Sequence, residues 1–222
     1  MNFFPLRRVP TFRHIAIDTE TLSLSPVSAV LSIGMVNFDL HTGEVLSSIQ
    51  INVDSDIDVN YLGGLESQDT VDWWNRSDNE EAWRLSTDHQ LAPLNALQLT
   101  TDWLKAYAPN LWSKPNDYCV WTMGSEFDPP ILNQWSERIL NRYHPGMRVP
   151  AGFPDGITKG LLPRQCLADM RLLFKLWPGK VSPPKQVAHT ALADAQSQME
   201  TILKYRRLGM LNGMFNQMRH LP

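Results

Sequence analysis

Residues 14–18 read HIAID, a short apolar segment that ends at an acid and predicts the first β-strand. Residues 30–39 form a longer segment, partly β-branched and bounded by turn residues, which predicts a second strand. Residues 41–44, HTGE, predict a hairpin turn into a third strand over 45–53. Three consecutive strands with short connections indicate an antiparallel β-meander.

The remainder of the chain predicts helices that alternate with strands. Ser77, followed three residues later by Glu80, fits a capping box at the start of one helix. Apolar spacing and the positions of prolines predict the other elements. These are a helix over 91–107, a strand over 118–123, a helix from 129 to about 142, a short strand over 164–168, a helix over 169–176 and a last helix over about 190–208.

This order predicts an α/β protein with a mixed central β-sheet, in which an antiparallel meander is followed by parallel strands and helices flank the sheet. It is compatible with an RNase H-like fold. Residues 144–163 and 178–184 are predicted loops, and the Pro- and Gly-rich stretch over 147–163 could form a lid or a partner surface. Because repeats and low-complexity tracts are missing, we expect one domain over residues 1–222, with its core over about 14–208.

Composition excludes several classes of protein. With 222 residues, 43% of them hydrophobic and 19% charged, the chain is long enough for a buried core and is neither disordered nor fibrous. Cys119 and Cys166 lie far apart, which excludes a disulfide framework and a CxxC zinc site, so we expect reduced thiols. A net charge of -3 argues against a basic protein that coats nucleic acid non-specifically.

Targeting and membrane signals are weak. The first 14 residues have no apolar stretch of 7–15 residues after their basic pair, as a secretory signal requires. The apolar segment over 30–38 is interrupted by polar residues and is too short to span a bilayer. We therefore expect a soluble cytoplasmic protein without a membrane partner.

Asp18 and Glu20 are the first candidate site residues. They lie two residues apart, so on a strand their side chains leave the same face. Neighbouring carboxylates repel each other unless a cation lies between them, and such pairs often bind Mg²⁺ or Mn²⁺. A D-x-E triplet is common by chance, and the alternative interpretation is a solvated strand end.

Two further acidic positions follow predicted structural boundaries. Asp128 comes soon after the strand over 118–123 and begins a helix, where an N-cap is the alternative interpretation. His189 and Asp194 open the last helix. They are five residues apart, too far round a regular helix to share one face unless His189 lies on the turn before it. A surface histidine near a helix start is the alternative.

Together these motifs resemble the DEDDh branch of the DnaQ-like 3′→5′ exonucleases, whose fold is RNase H-like. The resemblance covers about residues 14–208. It is carried by Asp18 and Glu20 for D-x-E, by Phe127-Asp128 after a glycine, and by His189-x-Ala191-x-x-Asp194. A narrower similarity, to the RNase T-like group that includes phage exonuclease A, is carried by TVDWW over 70–74 and by Asp169-Met170-Arg171.

The resemblance implies two bound divalent ions, Mg²⁺ or Mn²⁺, and a role for each matching residue. Asp18 would bridge the ions, Glu20 and Asp194 would complete the site that holds the attacking water, and Asp128 would serve the ion on the leaving-group side. His189 would be the general base, because the usual histidine pKa near 6.5 suits proton removal near neutrality. Such a site hydrolyses phosphodiesters with ions about 3.5–4 Å apart.

Substrate contacts are expected around this centre. Trp73 and Trp74 could stack on bases, although at least one could pack in the core, since neighbouring helix residues point about 100° apart. The other tryptophans are expected in the core. Further candidate substrate-binding residues are Thr19, Thr21 and Leu22, which follow the metal-binding pair, and Phe127 and Arg171. Arg171 could reach a phosphate, and a structural ion pair with Asp169 is the alternative interpretation.

The resulting hypothesis is a metal-dependent 3′→5′ exonuclease that degrades single-stranded DNA or RNA to nucleoside 5′-monophosphates. Its partner would be a nucleic-acid 3′ end, and the resemblance also implies a homodimer and a bacterial or phage-infected cell. One alternative is a metal hydrolase for nucleotides or small phosphodiesters. Another is an inactive RNase H-like nucleic-acid-binding module, against which the intact set of five residues argues.

Overall fold

The computed structural model describes residues 13–146, 151–177 and 189–211. These residues contain a five-stranded sheet in the order β3-β2-β1-β4-β5. The neighbours β1, β2 and β3 pair antiparallel, whereas β4 pairs parallel to both β1 and β5, which confirms the predicted mixed sheet. The strands are β1 (Arg13–Thr21), β2 (Val30–Phe38), β3 (Val45–Asn52), β4 (Tyr118–Thr122) and β5 (Leu167–Asp169).

Seven α-helices lie in the described residues, and none is long and apolar enough to cross a membrane. They are α1 (Ser55–Ile57), which continues as a π-helical turn over Asp58–Leu62, α2 (Gln68–Trp74), α3 (Glu80–Thr87), α4 (Pro93–Tyr107), α5 (Asp128–Tyr143), α6 (Met170–Leu176) and α7 (Ala191–Arg207). Short 3₁₀ turns occur at Pro115–Asp117, Ile157–Lys159 and Arg164–Cys166.

The predicted capping box at Ser77 is wrong. Helix α3 begins at Glu80 with Asn79 in the N-cap position, and the Asn79 amide donates a hydrogen bond of 2.6 Å to the carbonyl oxygen of Trp73 instead of capping the helix. The residue pattern was right about the existence of the helix, but a tertiary contact with α2 determines where it starts.

Two apolar cores lie on opposite faces of the sheet, because side chains along β1 alternate between them. Ile15 and Ile17 face the α5-side core, which contains residues of α4 and α5 such as Leu104 and Trp135. Ala16 faces the α7-side core, which contains residues of α6 and α7, including Leu173, Met199 and Ile202. Side chains at even positions of β1 therefore point towards α7.

The predicted surface loop over 144–163 is partly a core element. Four of its side chains, Phe153, Ile157, Leu161 and Leu162, are buried in the α5-side core. Burial of these side chains anchors the described part of the loop against the core. Residues 147–150 of this loop, the predicted loop over 178–184, residues 1–12 and the tail after 211 lie outside the described residues.

The tryptophans divide between core and surface. Trp103, Trp121 and Trp135 are buried, as expected. Trp83 is exposed over 36% of its surface, so its expected place in the core is wrong. It lies on α3, where its ring is 5.6 Å from that of Trp74. The aromatic cluster around α2 and α3 thus reaches the surface.

Candidate active site

The second half of β1 extends beyond its parallel neighbour. Strand β4 pairs with β1 only over Arg13–Ala16, whereas β2 pairs with β1 as far as Thr21. Asp18 and Glu20 lie in this overhang, on the same side of the sheet as Ala16 and therefore towards α7. The prediction that alternation places both acids on one face agrees with this register.

Three carboxylates converge at the overhang. Oxygen atoms of Asp18, Glu20 and Asp194 all lie within 4.8 Å of one another, and each residue is partly buried. Asp194 lies in the first turn of α7, where the helix dipole favours a negative charge. Three like charges at this separation repel each other, and oxygen ligands are those that Mg²⁺ and Mn²⁺ prefer, so the donor set fits a divalent cation.

Gln198 is part of this site and has no counterpart in the sequence motifs. Its Nε2 donates a hydrogen bond of 2.6 Å to Oδ1 of Asp18, and its side chain is 3% exposed. The signal available in the sequence was its position four residues after Asp194, which places both on one face of a helix. Glutamine is too common on helices for that spacing to have indicated a site.

Gly34 allows α7 to approach the sheet. It pairs with Asp18 across the β1–β2 ladder. A Cβ atom at Gly34 would lie 2.1 Å from the carbonyl carbon of Ala191 and 2.2 Å from the backbone nitrogen of Leu192. The first turn of α7 thus rests on Gly34, and this contact brings Asp194 next to Asp18.

Asp128 reaches β1 from the other side of the sheet. Its Oδ1 accepts hydrogen bonds from the backbone nitrogen of Thr19 at 3.1 Å and from Thr19 Oγ1 at 2.8 Å. Burial raises the pKa of Asp128 to about 6, while these hydrogen bonds act in the opposite direction. Asp128 is outside the three-carboxylate group found among the described residues. Its carboxylate contacts β1 instead of capping α5, whose N-cap residue is Phe127.

The segment that presents Asp128 is held in place by Asp169. Oδ2 of Asp169 accepts hydrogen bonds from the backbone nitrogen and the hydroxyl of Ser125, and Oδ1 accepts one from the backbone nitrogen of Arg171. The exposed Arg171 side chain lies over Gly124, where an added Cβ would be 2.6 Å from the guanidinium carbon. The positive charge of Arg171 acts to lower the pKa of Asp128, which places Arg171 beside the site.

His189 lies on the turn before α7, the position that its spacing from Asp194 required. Its backbone is left-handed, with φ of 62°, and its ring packs edge-on against Trp73 with centroids 4.7 Å apart. Trp73 is partly buried, whereas Trp74 is 3% exposed and donates a hydrogen bond of 3.2 Å to the carbonyl oxygen of Thr21. Trp74 is therefore a core residue here, and its ring is not available to stack on a base.

The other expected substrate-binding residues are largely buried. Thr19 is bonded to Asp128, Thr21 donates its hydroxyl to the carbonyl oxygen of Ser23, and Leu22 packs in a small apolar cluster with Trp74. Phe127 is partly buried against the α5-side core. In this structure Thr19, Thr21 and Leu22 support the end of β1 and present little side-chain surface to a ligand.

Comparison with solved structures identifies the fold as RNase H-like, of the exonuclease type. The nuclease domain of 3′hExo, a DEDDh family member bound to rAMP, matches with a TM-score of 0.50 and 14% identity over 89% of this chain and 93% of that one. Exonuclease I from Methylocaldum szegediense matches with a TM-score of 0.56 and 13% identity, and the match covers 92% of this chain and 43% of that one. Exonuclease I from E. coli, in complex with a dT13 oligonucleotide, matches with a TM-score of 0.58 and 11% identity. That match covers 93% of this chain and 43% of the other.

Sequence comparisons give the family. A search of curated proteins found no match. Three expectations stay predictions: the narrower similarity to the phage exonuclease A group, the cytoplasmic location and the homodimer. The sequence matches the family model of the Rv2179c-like 3′-5′ exoribonuclease domain over residues 13–205, a range that includes Asp18, Glu20, Asp128, His189 and Asp194. This chain therefore belongs to the Rv2179c-like 3′-5′ exoribonuclease domain family, a family of nucleases.

Proposed function

We propose that this protein is a metal-dependent exonuclease that shortens single-stranded RNA from its 3′ end and releases nucleoside 5′-monophosphates. The observation that carries the proposal is the convergence of Asp18, Glu20 and Asp194 within 4.8 Å, because this donor set fits a divalent cation. The description of the family as exoribonucleases supports RNA over DNA as the substrate.

Two Mg²⁺ or Mn²⁺ ions would be held by the acids at the end of β1. Asp18, Glu20 and Asp194 would hold the first, and Asp18 and Asp128 the second. Bound ions of this kind lower the pKa of a coordinated water and stabilise negative charge on a leaving oxygen. The hydrogen bonds from Thr19, the residue next to Asp18 on β1, to the Asp128 carboxylate support a place for Asp128 beside this site.

His189 would take the proton from the attacking water, and its neighbours would bind the substrate. The contact with Trp73 limits the movement of the His189 ring. The partly exposed ring of Trp73 offers a surface for a base, and such stacking contributes about 1–3 kcal/mol per base without selecting its identity. Arg171, exposed beside Asp128, would bind a phosphate of the substrate.

The proposed polarity and metal requirement are tested with single-stranded RNA labelled at either end. With Mg²⁺ or Mn²⁺, RNA with a 5′ label should give a ladder of shortened products, and RNA with a 3′ label should release labelled mononucleotide from the start. A chelator should stop both reactions, and added metal should restore them. DNA of the same sequence is the comparison substrate, which tests the proposed preference for RNA. Faster cleavage of dinucleotides than of longer RNA would instead favour the alternative of a small-phosphodiester hydrolase.

Replacement of His189 by alanine should lower kcat about 10²- to 10⁴-fold, the usual loss for a general base, while Mn²⁺ binding is retained. The measurement is the single-turnover rate on RNA together with the Mn²⁺ affinity. His89→Ala is a matched control, because His89 also has a left-handed backbone, with φ of 49°, and an exposed side chain. A wild-type rate in His189→Ala would remove His189 from the mechanism.

A further inference from the structure

Gln198 joins the helix that carries Asp194 to the strand that carries Asp18. We propose that Gln198 is a positioning residue that orients the Asp18 carboxylate for metal binding. The inference rests on the proposed function, since it concerns the same metal site. Its starting observation is the hydrogen bond of 2.6 Å from Gln198 Nε2 to Asp18 Oδ1.

The arrangement of α7 places two different groups beside Asp18. Asp194 and Gln198 are four residues apart, so they lie one above the other on the same face of the helix. Asp194 adds a negative charge to the site, whereas the amide of Gln198 adds a hydrogen-bond donor.

Burial argues that the hydrogen bond to Asp18, and not packing, accounts for a glutamine at this position. Gln198 is 3% exposed, and among the described residues its Oε1 has no hydrogen-bond partner. A buried carbonyl oxygen without a partner costs free energy, so an apolar side chain of the same length would pack here at a lower cost. The bond from Nε2 is the contact that only the amide makes.

Fixing the Asp18 side chain matters because two other carboxylates lie beside it. Without an ion, repulsion from Glu20 and Asp194 favours rotamers of Asp18 that move its oxygens away. The Gln198 amide opposes that movement by bonding Oδ1. Groups that orient a metal ligand in this way commonly change metal affinity or activity about 10- to 100-fold when they are replaced.

The test is a calorimetric Mn²⁺ titration of four proteins: wild type, Gln198→Met, Gln198→Asn and Gln196→Met. Methionine keeps the length of glutamine but has no amide, and asparagine keeps the amide but is one methylene too short to reach Asp18. Gln196 lies two residues away, about 200° round the same helix, and is the matched control. The melting temperature and the single-turnover rate against Mn²⁺ concentration are measured on each protein.

Both Gln198 variants should bind Mn²⁺ about 10- to 100-fold more weakly than wild type. Their rates should approach that of wild type at saturating Mn²⁺, and their melting temperatures without metal should show that the fold is intact. Gln196→Met should match wild type. If wild type binds Mn²⁺ and both Gln198 variants bind it equally well, the inference is wrong and the proposed function stands. If wild type binds no Mn²⁺, both the inference about Gln198 and the proposed metal-dependent function are wrong.

Discussion

Asp18→Asn should lower the rate of RNA shortening at least about 10³-fold. Asparagine keeps the shape of the side chain and can still accept the bond from Gln198, but it removes the charge proposed to hold both ions. Metal ions contribute several kcal/mol to the stabilisation of the transition state, and a loss of about 4 kcal/mol corresponds to three factors of ten. The measurement is the single-turnover rate on RNA with a 5′ label at saturating Mg²⁺ or Mn²⁺.

Loss of activity in Asp18→Asn should not come from loss of the fold. Asp18 lies within 4.8 Å of two other carboxylates, so removal of its charge relieves repulsion in the metal-free protein. The melting temperature in a chelator should therefore equal or exceed that of wild type. Asp102→Asn, at an exposed position on α4, is the matched control and should keep the wild-type rate. A wild-type rate in Asp18→Asn would contradict the proposed site.

Gly34→Ala should both destabilise the protein and lower its activity. The new methyl group would lie 2.1–2.2 Å from backbone atoms of Ala191 and Leu192, so no change of side-chain rotamer can make room for it. Overpacking costs about 1–3 kcal/mol, and a clash with backbone belongs at the upper end. For a chain of this size, 3 kcal/mol lowers the melting temperature by about 6–12 °C.

The loss of activity in Gly34→Ala should exceed what unfolding explains. Moving the first turn of α7 moves Asp194 away from Asp18, and a shift of about 1 Å in a catalytic site can cost 10²-fold in rate. The rate is measured well below the melting temperature. Gly63→Ala is the control, because at Gly63, with φ of 76°, nothing lies within 4 Å of the new methyl group. Gly63→Ala should lower the free energy of unfolding by about 1–2 kcal/mol, because alanine is strained in a left-handed backbone, and it should keep the wild-type rate of RNA shortening.

The parts of the fold and site that local patterns govern were predictable from the sequence. Alternation along β1 placed Asp18 and Glu20 on one face, and the spacing of His189 from Asp194 required a turn before α7. The meander and the last helix also follow from local periodicity. These features depend on neighbours within a few residues, which a sequence pattern records.

The remaining features depend on contacts between distant segments. Gln198 meets Asp18 across 180 positions of sequence, and Gly34 is required only because α7 rests on it. The buried indole nitrogen of Trp74 donates a hydrogen bond to the carbonyl oxygen of Thr21, 53 positions away. In a single sequence, nothing near one member of such a pair indicates the other member. Periodicity and motif spacing therefore could not have predicted these contacts.

Because the carboxylates come from β1 and α7, the order of synthesis determines when the site can form. A nascent chain still on the ribosome has β1 early, but it gains Asp194 and Gln198 only when α7 has been translated. Until that helix docks against Gly34, the acids of β1 lack their third member. The proposed metal site is therefore complete only in a chain that has been translated through α7 and in which that helix has docked on the sheet.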